Sequence, residues 1–158
     1  PALQPEPVAG IFGDAVRSLP DLGGLRLESS CPPGARVLAN RALLADLLRN
    51  LILNAAAAAP AEGVIRLTCE RQGEAWRLRV QDNGRGIPAE DLPHVTEAFY
   101  MADKSRTRAR GGSGLGLGIA KEIVEQHQGT IGVESQLDAG TTVTITLPVC
   151  PPDHEGQL

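Results

Sequence analysis

The sequence contains few aromatic residues, few cysteines and no long apolar segment. Phe, Trp and Tyr make up 3% of its 158 residues, so Leu, Ile, Val and Ala must build the core. The three cysteines, Cys31, Cys69 and Cys150, form no CxxC pair, which suggests neither a zinc site nor a disulfide framework and favours the cytosol. The longest apolar run, LILNAAAAA, is far shorter than the roughly 20 residues needed to cross a bilayer. A net charge of −4 argues against a general nucleic-acid binder.

Patterns of apolar residues predict the main helix and the main strands. The stretch from Asn40 to Ala59 is the strongest helix, because Asn40 can cap it, Pro60 ends it and leucines recur at helical spacing. VIRLTCER and AWRLRVQD alternate apolar and polar residues around a Gln-Gly turn, which predicts antiparallel strands with one buried face. Further helices are predicted in PVAGIFGDAVRSLPD and IAKEIVEQHQG, and further strands in GLRLESS, TIGVES and TTVTITLPV.

These elements predict an α+β fold. It is a two-layer sandwich in which one mixed, mostly antiparallel sheet is covered on one face by helices. The length suits a single domain, because domains most often hold roughly 100 to 150 residues. We expect residues 1–149 to form this domain, residues 150–158 to be a disordered tail, and AEDLPHVTEAF to be a short helix.

Five glycines in nine residues, RGGSGLGLG from Arg110 to Gly118, run directly into a predicted helix. The run reads GxGxGxG, so it fits neither a Walker A loop nor the GxGxxG of a dinucleotide-binding fold. Glycines allow close approach of the backbone, and a helix N terminus presents free N–H groups to an anion. Taken alone, the run suits a phosphate-binding loop and a flexible joint equally well.

Two other stretches favour nucleotide binding. Asn50 and Asn54 lie four residues apart and therefore share a helix face, with Asn54 within about 20° of Leu47 in the apolar stripe. A buried amide needs a partner, and an asparagine carbonyl oxygen is a suitable ligand for Mg²⁺. In DNGRGIP, Asp82 ends a strand before two glycines. This pattern suits a plain turn, but the carboxylate can also accept a hydrogen bond from an exocyclic amine such as that of adenine.

Four stretches together resemble a known family. LLRNLILNA, DNGRGIP, EAFYMADKSR and GGSGLGLGIAKEIVEQHQG occur in the order and spacing of the N, G1, F and G2 boxes. They resemble the ATP-binding catalytic domain of bacterial sensor histidine kinases over about residues 35 to 148. The resemblance implies the Bergerat-type fold shared with gyrase, heat-shock chaperone and mismatch-repair ATPases. It places the N box at 46–60, the G1 box at 82–88, the F box and lid at 97–111 and the G2 box at 112–118.

The resemblance implies ATP and Mg²⁺ as cofactors and a role for each matching residue. Asp82 would bind the adenine amine, Asn54 would hold Mg²⁺, and Asn50 would lie beside the triphosphate. Lys104 in the lid would contact phosphate and, with Asn50, take part in catalysis, and Arg106, Arg108 and Arg110 are further basic candidates in the lid. The remaining residues expected to shape the pocket, cradle phosphates or support Asp82 are Gly84, Gly86, Ile87, Gly112, Gly114, Leu115, Gly116 and Thr141.

Departures from related patterns narrow the implied function. Gyrase-like hydrolases carry a glutamate at the position of Asn50, and an amide cannot act as a general base, so attack by water should be slow. Many family members carry a lysine and an aromatic residue or histidine where this chain has Ala57 and Ala58, which puts one triphosphate contact in doubt. None of the histidines has the H-[ED]-x-[RK]-x-P context of the phosphoacceptor. Of these histidines, His127 ends a predicted helix, where we expect it to complement the dipole.

The implied activity is transfer of the γ-phosphoryl of Mg-ATP to a histidine on a separate dimerisation domain, with a response regulator downstream. The chain begins at Pro1, which predicts a piece of a longer kinase, monomeric by itself and located in the cytosol whether or not the parent is attached to a membrane. No nucleic-acid partner is expected. Two alternatives stay open: an anti-sigma-factor-type serine kinase on the same fold, and a nucleotide-binding regulatory module without catalysis.

Overall fold

A computed structural model describes residues 3–86 and 117–150. In chain order, its elements are β1 (Gln4–Pro7), α1 (Val8–Arg17), β2 (Arg26–Ser30), β3 (Arg36–Ala39), α2 (Arg41–Ala58), β4 (Val64–Gln72), β5 (Ala75–Asp82), α3 (Leu117–Gln126), β6 (Thr130–Gln136) and β7 (Gly140–Pro148). The predictions for AEDLPHVTEAF, the lid and residues 151–158 fall outside the described residues. Among those described, no helix combines the length and apolarity needed to cross a bilayer.

Five strands form the main sheet in the order β2-β4-β5-β7-β6. β2 and β4 run parallel, whereas the other neighbouring pairs are antiparallel. The predicted alternation in β4 and β5 is confirmed, since the core-facing residues are Ile65, Leu67, Cys69, Trp76, Leu78 and Val80. Helices pack on this buried face, so the α+β sandwich is confirmed.

A second, smaller sheet was not predicted. β1 and β3 pair antiparallel, with Gln4 opposite Ala39 and Pro7 opposite Arg36. Each strand has four residues, too few for an alternating pattern to stand out, and β1 contains two prolines. The expectation of a single sheet is therefore wrong.

Cys150 is buried and its N–H donates to the Arg36 carbonyl at 3.4 Å, so the packed chain also extends past the predicted boundary at 149.

α2 is the central helix of the core. Asn40 caps it as predicted, because its side-chain oxygen accepts the N–H of Leu43 at 3.1 Å. The helix packs against α1, α3, β4 and β5. The predicted apolar stripe is confirmed, since the buried residues include Leu44, Leu47, Leu48, Leu51 and Ala55.

His127 joins the end of α3 to the start of α2. Its Nε2 accepts the backbone N–H of Asn40 at 3.1 Å, so Nδ1 carries the ring proton and donates to the Ile123 carbonyl at 2.8 Å. At the end of α3 the ring thus satisfies a carbonyl of the last helical turn by hydrogen bonding.

We expect His127→Leu to lower the free energy of unfolding by about 2 kcal/mol, because two backbone groups lose their partner. Urea denaturation followed by circular dichroism measures this loss. Gln126→Leu is the matched control, since Gln126 is exposed on the same turn and its replacement should change stability by no more than about 0.5 kcal/mol. Equal losses in the two variants would show that the imidazole bridge does not stabilise the fold.

Candidate functional site

Asp82 is a buried carboxylate at the end of β5. It lies opposite Ile65 of β4 on the core-facing side of the sheet, and only 7% of its surface is exposed. Its Oδ1 accepts the N–H of Gly84 at 2.8 Å, and the backbone N–H of Thr141 also donates to the carboxylate. The bond to Gly84 is that of an Asx turn, so the plain-turn interpretation describes part of the role of Asp82. A carboxylate offers about four lone-pair positions, however, so two N–H donors leave it able to accept another.

The environment of Asp82 shifts its acidity in opposing directions. Burial raises the pKa of Asp82 above the usual 3.8, whereas the N–H groups of Gly84 and Thr141 and the positive charge of Arg85 lower it. Burial has the largest effect, so the net shift is upward. A carboxylate that is costly to keep charged gains most from a further hydrogen-bond donor.

The raised pKa predicts a stability change with a definite sign. Between 3.8 and the raised value, the folded chain holds a proton at Asp82 that the unfolded chain has lost, so stability falls as the pH rises through this window. Asp82→Asn removes the titration. We expect the unfolding free energy of the wild type minus that of the variant to decrease from pH 4 towards neutrality, measured by urea denaturation. A difference that grows with pH would contradict the raised pKa.

Two glycines let the loop after Asp82 approach its neighbours closely. A Cβ at Gly84 would lie 2.2 Å from the carbonyl oxygen of Ala58, at the end of α2. A Cβ at Gly86 would lie 2.0 Å from the carbonyl oxygen of Gln136, at the end of β6, and Gly86 also has a φ of +76°. Any larger residue at either position collides with backbone, so the loop closes against α2 and β6 only with glycine there.

Gly140 completes this packing and was not among the predicted site residues. It begins β7 with a φ of +117°, and a Cβ there would lie 2.1 Å from the carbonyl oxygen of Asp82. The next residue, Thr141, donates its N–H to the Asp82 carboxylate, while its hydroxyl lies 2.8 Å from that of Ser135. The backbone of Thr141 therefore supports Asp82, and its side chain ties β7 to β6.

Arg85 is a second residue that was not predicted to contribute. α2 has no basic residue in its last turn, and Arg85 reaches this end of the helix from the loop. Its N–H donates to the Ala58 carbonyl at 3.3 Å and its Nη2 donates to the Ala57 carbonyl at 3.3 Å. Its own carbonyl accepts the N–H of Asp138 at 2.7 Å. Arg85 thus links α2 to the β6–β7 turn and complements the negative end of the helix.

The two asparagines of α2 lie at the edge of the buried stripe. Asn54 and Asn50 precede Ala58 by one and two turns, which is about 6 and 12 Å along the helix axis. Asn54 is half-buried and Asn50 is exposed. The half-buried position of Asn54 agrees with its predicted place beside Leu47 in the apolar stripe, whereas Asn50, one turn earlier, is exposed.

The described residues hold only part of the predicted site. The structure places six of the predicted residues: Asn50, Asn54, Asp82, Gly84, Gly86 and Thr141. The contacts above join Asp82, both glycines and Thr141 to the end of α2. Outside the description lie Ile87, Lys104, Gly112, Gly114, Leu115 and Gly116. α3 begins at Leu117, directly after these glycines. Within 3–86 and 117–150, no group of three or more His, Cys, Asp or Glu side chains could hold a metal ion.

Known proteins resemble this chain in both sequence and structure. Residues 39–151 match the family described as "Histidine kinase-, DNA gyrase B-, and HSP90-like ATPase". The chain is 40% identical over 128 residues to the sensor-like histidine kinase SenX3 of Mycobacterium tuberculosis, covering 81% of this chain and 31% of that protein. It is 42% identical over 107 residues to the sensor histidine kinase WalK of Bacillus subtilis, covering 66% of this chain and 18% of WalK.

A solved structure of the mycobacterial sensor histidine kinase MprB superimposes with a TM-score of 0.78 at 25% identity, covering 94% of this chain and 99% of the other. The chain spans 31% of SenX3 and 18% of WalK, so both relatives are much longer than this chain.

Proposed function

This chain belongs to the family of histidine kinase-, DNA gyrase B- and HSP90-like ATPases, and we propose that it is the ATP-binding catalytic domain of a sensor histidine kinase. In this proposal it binds Mg-ATP and donates the γ-phosphoryl group to a histidine on a separate dimerisation domain of the same kinase. A response regulator would receive the group next. The similarity to SenX3 and WalK supports this branch of the family.

The observation that carries the proposal is the buried carboxylate of Asp82, which has capacity for another donor. The exocyclic amine of adenine is such a donor, and the glycines at 84 and 86 let the loop that holds Asp82 close against α2 and β6. Arg85 and Thr141 fix the loop from both sides through their hydrogen bonds, so Asp82 is oriented before nucleotide arrives. Preorganisation of this kind lowers the entropic cost of binding.

We propose that Asn54 contributes a carbonyl oxygen to Mg²⁺. The fit rests on donor chemistry, since an amide oxygen suits Mg²⁺, which usually takes one or two protein ligands together with substrate phosphates. Asn54 is half-buried and lies one turn before Ala58, whose carbonyl contacts the loop after Asp82, which is consistent with such a role. When bound, the ion would neutralise charge on the phosphates, which is its usual part in phosphoryl transfer.

Asn50 would lie beside the triphosphate without activating water. Its side chain is exposed, and an amide has no basic lone pair at neutral pH. Hydrolysis should therefore be slow, which keeps the γ-phosphoryl available for a histidine nucleophile. Lys104 is proposed as the lid cation that stabilises the transferring group, and the domain is proposed to work in the cytosol as a monomeric unit without nucleic acid.

Phosphoryl transfer to a supplied acceptor tests the proposal. The chain is incubated with radiolabelled ATP and Mg²⁺, alone and together with the histidine-bearing helical hairpin of a related sensor kinase. We expect acid-labile label on the hairpin and none on the chain itself. Acid-labile label on the chain would overturn the separate acceptor. Acid-stable label on a serine would indicate a serine kinase. Binding of ATP without transfer of label to the hairpin would indicate a regulatory module.

A further inference from the structure

Cys31 and Cys69 lie next to each other at the edge of the main sheet. β2 and β4 pair in parallel register up to Ser30 and Thr68. The residue that follows each of these two is a cysteine, Cys31 after Ser30 and Cys69 after Thr68. The pair continues the core-facing series begun by Leu27 with Ile65, since Cys69 is buried and Cys31 packs against the same core. The structure thus places two of the three cysteines of this chain, distant in sequence, at matching positions of neighbouring strands.

The two thiols interact directly. Burial is the main cause that raises the pKa of both thiols, and the hydrogen bond between them lowers the pKa of Cys31. At Cys69, burial together with the charge of Cys31, this hydrogen bond and the charge of Glu70 raises the pKa to about 12. The Sγ of Cys31 also donates to the Pro32 carbonyl at 3.5 Å. Cys31 lies one residue past the end of β2, so its backbone is not constrained by the strand pairing and can adjust to the geometry that an S–S bond requires.

A reagent can reach this pair from one side. Cys31 is partly exposed and lines an open groove of about 390 Å³ between α1 and the end of β2, together with Phe12, Val16 and Ser30. Cys69, beside Cys31 on the neighbouring strand, is only 5% exposed and does not line this groove. A small oxidant would therefore meet Cys31 first, with Cys69 positioned to attack the oxidised sulfur.

We propose that Cys31 and Cys69 form an oxidative modification site, at which a hydroperoxide converts the two thiols into a disulfide that joins β2 to β4. The Cys31 thiolate attacks one peroxide oxygen, the O–O bond breaks and Cys31 becomes a sulfenic acid. The Cys69 sulfur then attacks the Cys31 sulfur, the S–O bond breaks, and the hydroxide leaves as water with the Cys69 proton. Two thiols and one hydrogen peroxide thus yield one disulfide and two waters.

The site is slow to react and slow to reverse. Thiolates are scarce at both positions because burial raises their pKa values, so oxidation requires a sustained excess of peroxide. A reducing thiol that attacks the accessible Cys31 sulfur must expel Cys69, and a thiolate whose pKa is about 12 is a poor leaving group. The disulfide is therefore expected to act as a lasting link between strands after oxidation.

The consequence is a firmer sheet edge with an unchanged nucleotide site. β2 is an edge strand, and a bond to β4 closes a loop of roughly 40 residues that contains α2, which restricts the unfolded chain. Because the disulfide restricts the unfolded chain, we expect Tm to rise by about 10 °C on oxidation. The nucleotide site should not change, since Cys69 is four residues along β4 from Ile65, the partner of Asp82, which corresponds to about 13 Å.

Intact-mass spectrometry of the chain after exposure to hydrogen peroxide tests the proposal. We expect a loss of about 2 Da, one remaining free thiol out of three, and a crosslinked peptide that joins Cys31 to Cys69. Cys150→Ser should retain the crosslink and Cys31→Ser should lose it, together with the rise in Tm. Three free thiols, a sulfinic acid on Cys31 without crosslink, or a dimer through Cys31 would each overturn the proposal. None of these readouts depends on nucleotide binding.

Discussion

Asp82→Asn is expected to weaken the binding of a non-hydrolysable ATP analogue by about 10- to 100-fold, measured by isothermal titration calorimetry. The substitution keeps the shape of the side chain but replaces one acceptor oxygen with an NH₂ donor. That donor then faces either the adenine amine or the Thr141 N–H, so one hydrogen bond to a charged group is lost, which costs about 1.5 to 3 kcal/mol.

Asp46→Asn is the matched control for this measurement. Asp46 is exposed on α2, so the control removes one negative charge without touching the buried loop. We expect wild-type affinity in the control and unchanged circular dichroism spectra in both variants. Wild-type affinity in Asp82→Asn would remove Asp82 from the nucleotide site.

Gly86→Ala is expected to lower the free energy of unfolding by about 4 kcal/mol or more. Two effects add, because alanine is strained at a φ of +76° and its Cβ would lie 2.0 Å from the Gln136 carbonyl oxygen. The loop must move away from the end of β6 to relieve this contact. Since the same loop holds Asp82, affinity for the ATP analogue should fall as well. Chemical denaturation and calorimetry measure the two losses.

Gly73→Ala separates the strain from the collision. Gly73 also has a positive φ, +61°, but a Cβ there has nothing within 4 Å. We expect this variant to lose only about 1 to 2 kcal/mol of stability and no nucleotide affinity. Equal losses of stability in Gly86→Ala and Gly73→Ala would show that the close packing of the loop against β6 does not matter.

The sequence could predict those elements whose signal is local and repeated. α2 carries its own cap and several turns of a leucine stripe, so its start at Asn40 and its buried face are confirmed. β4 and β5 are long enough for alternation to identify the core-facing side, which also places Asp82 at the buried end of β5. The four-residue strands β1 and β3 lack such a signal, because their pairing depends on segments about 30 residues apart.

The contacts that shape the site could not be predicted, because they join segments distant in the chain. Gly140 packs on the carbonyl of Asp82, and Arg85 pairs with the last carbonyls of α2, yet neither partner is adjacent in sequence. His127 illustrates the same limit, since its position indicated an interaction with its own helix end, whereas the ring also accepts the N–H of Asn40, which is distant in sequence. Residue type indicates which chemistry is available, whereas the partner is determined by tertiary packing.

The adenine end of the proposed site is held mainly by backbone. Asp82 is oriented by two backbone N–H groups, and the loop around it is fixed by glycines that fit against carbonyl oxygens. Backbone contacts lose no side-chain entropy when the pocket forms, which suits a site that is complete before ligand arrives. The phosphate end would depend instead on side chains such as Asn50, Asn54 and Lys104.

Titration of the ¹⁵N-labelled chain with a non-hydrolysable Mg-ATP analogue, followed by nuclear magnetic resonance, tests the central claim most directly. We predict saturable shifts of the backbone amides of Gly84 and Thr141, which donate to Asp82, and of the side-chain amide of Asn54. The same titration of Asp82→Asn should produce these shifts only at much higher ligand concentration. Saturable binding that leaves the Gly84 and Thr141 amides unmoved would contradict the account.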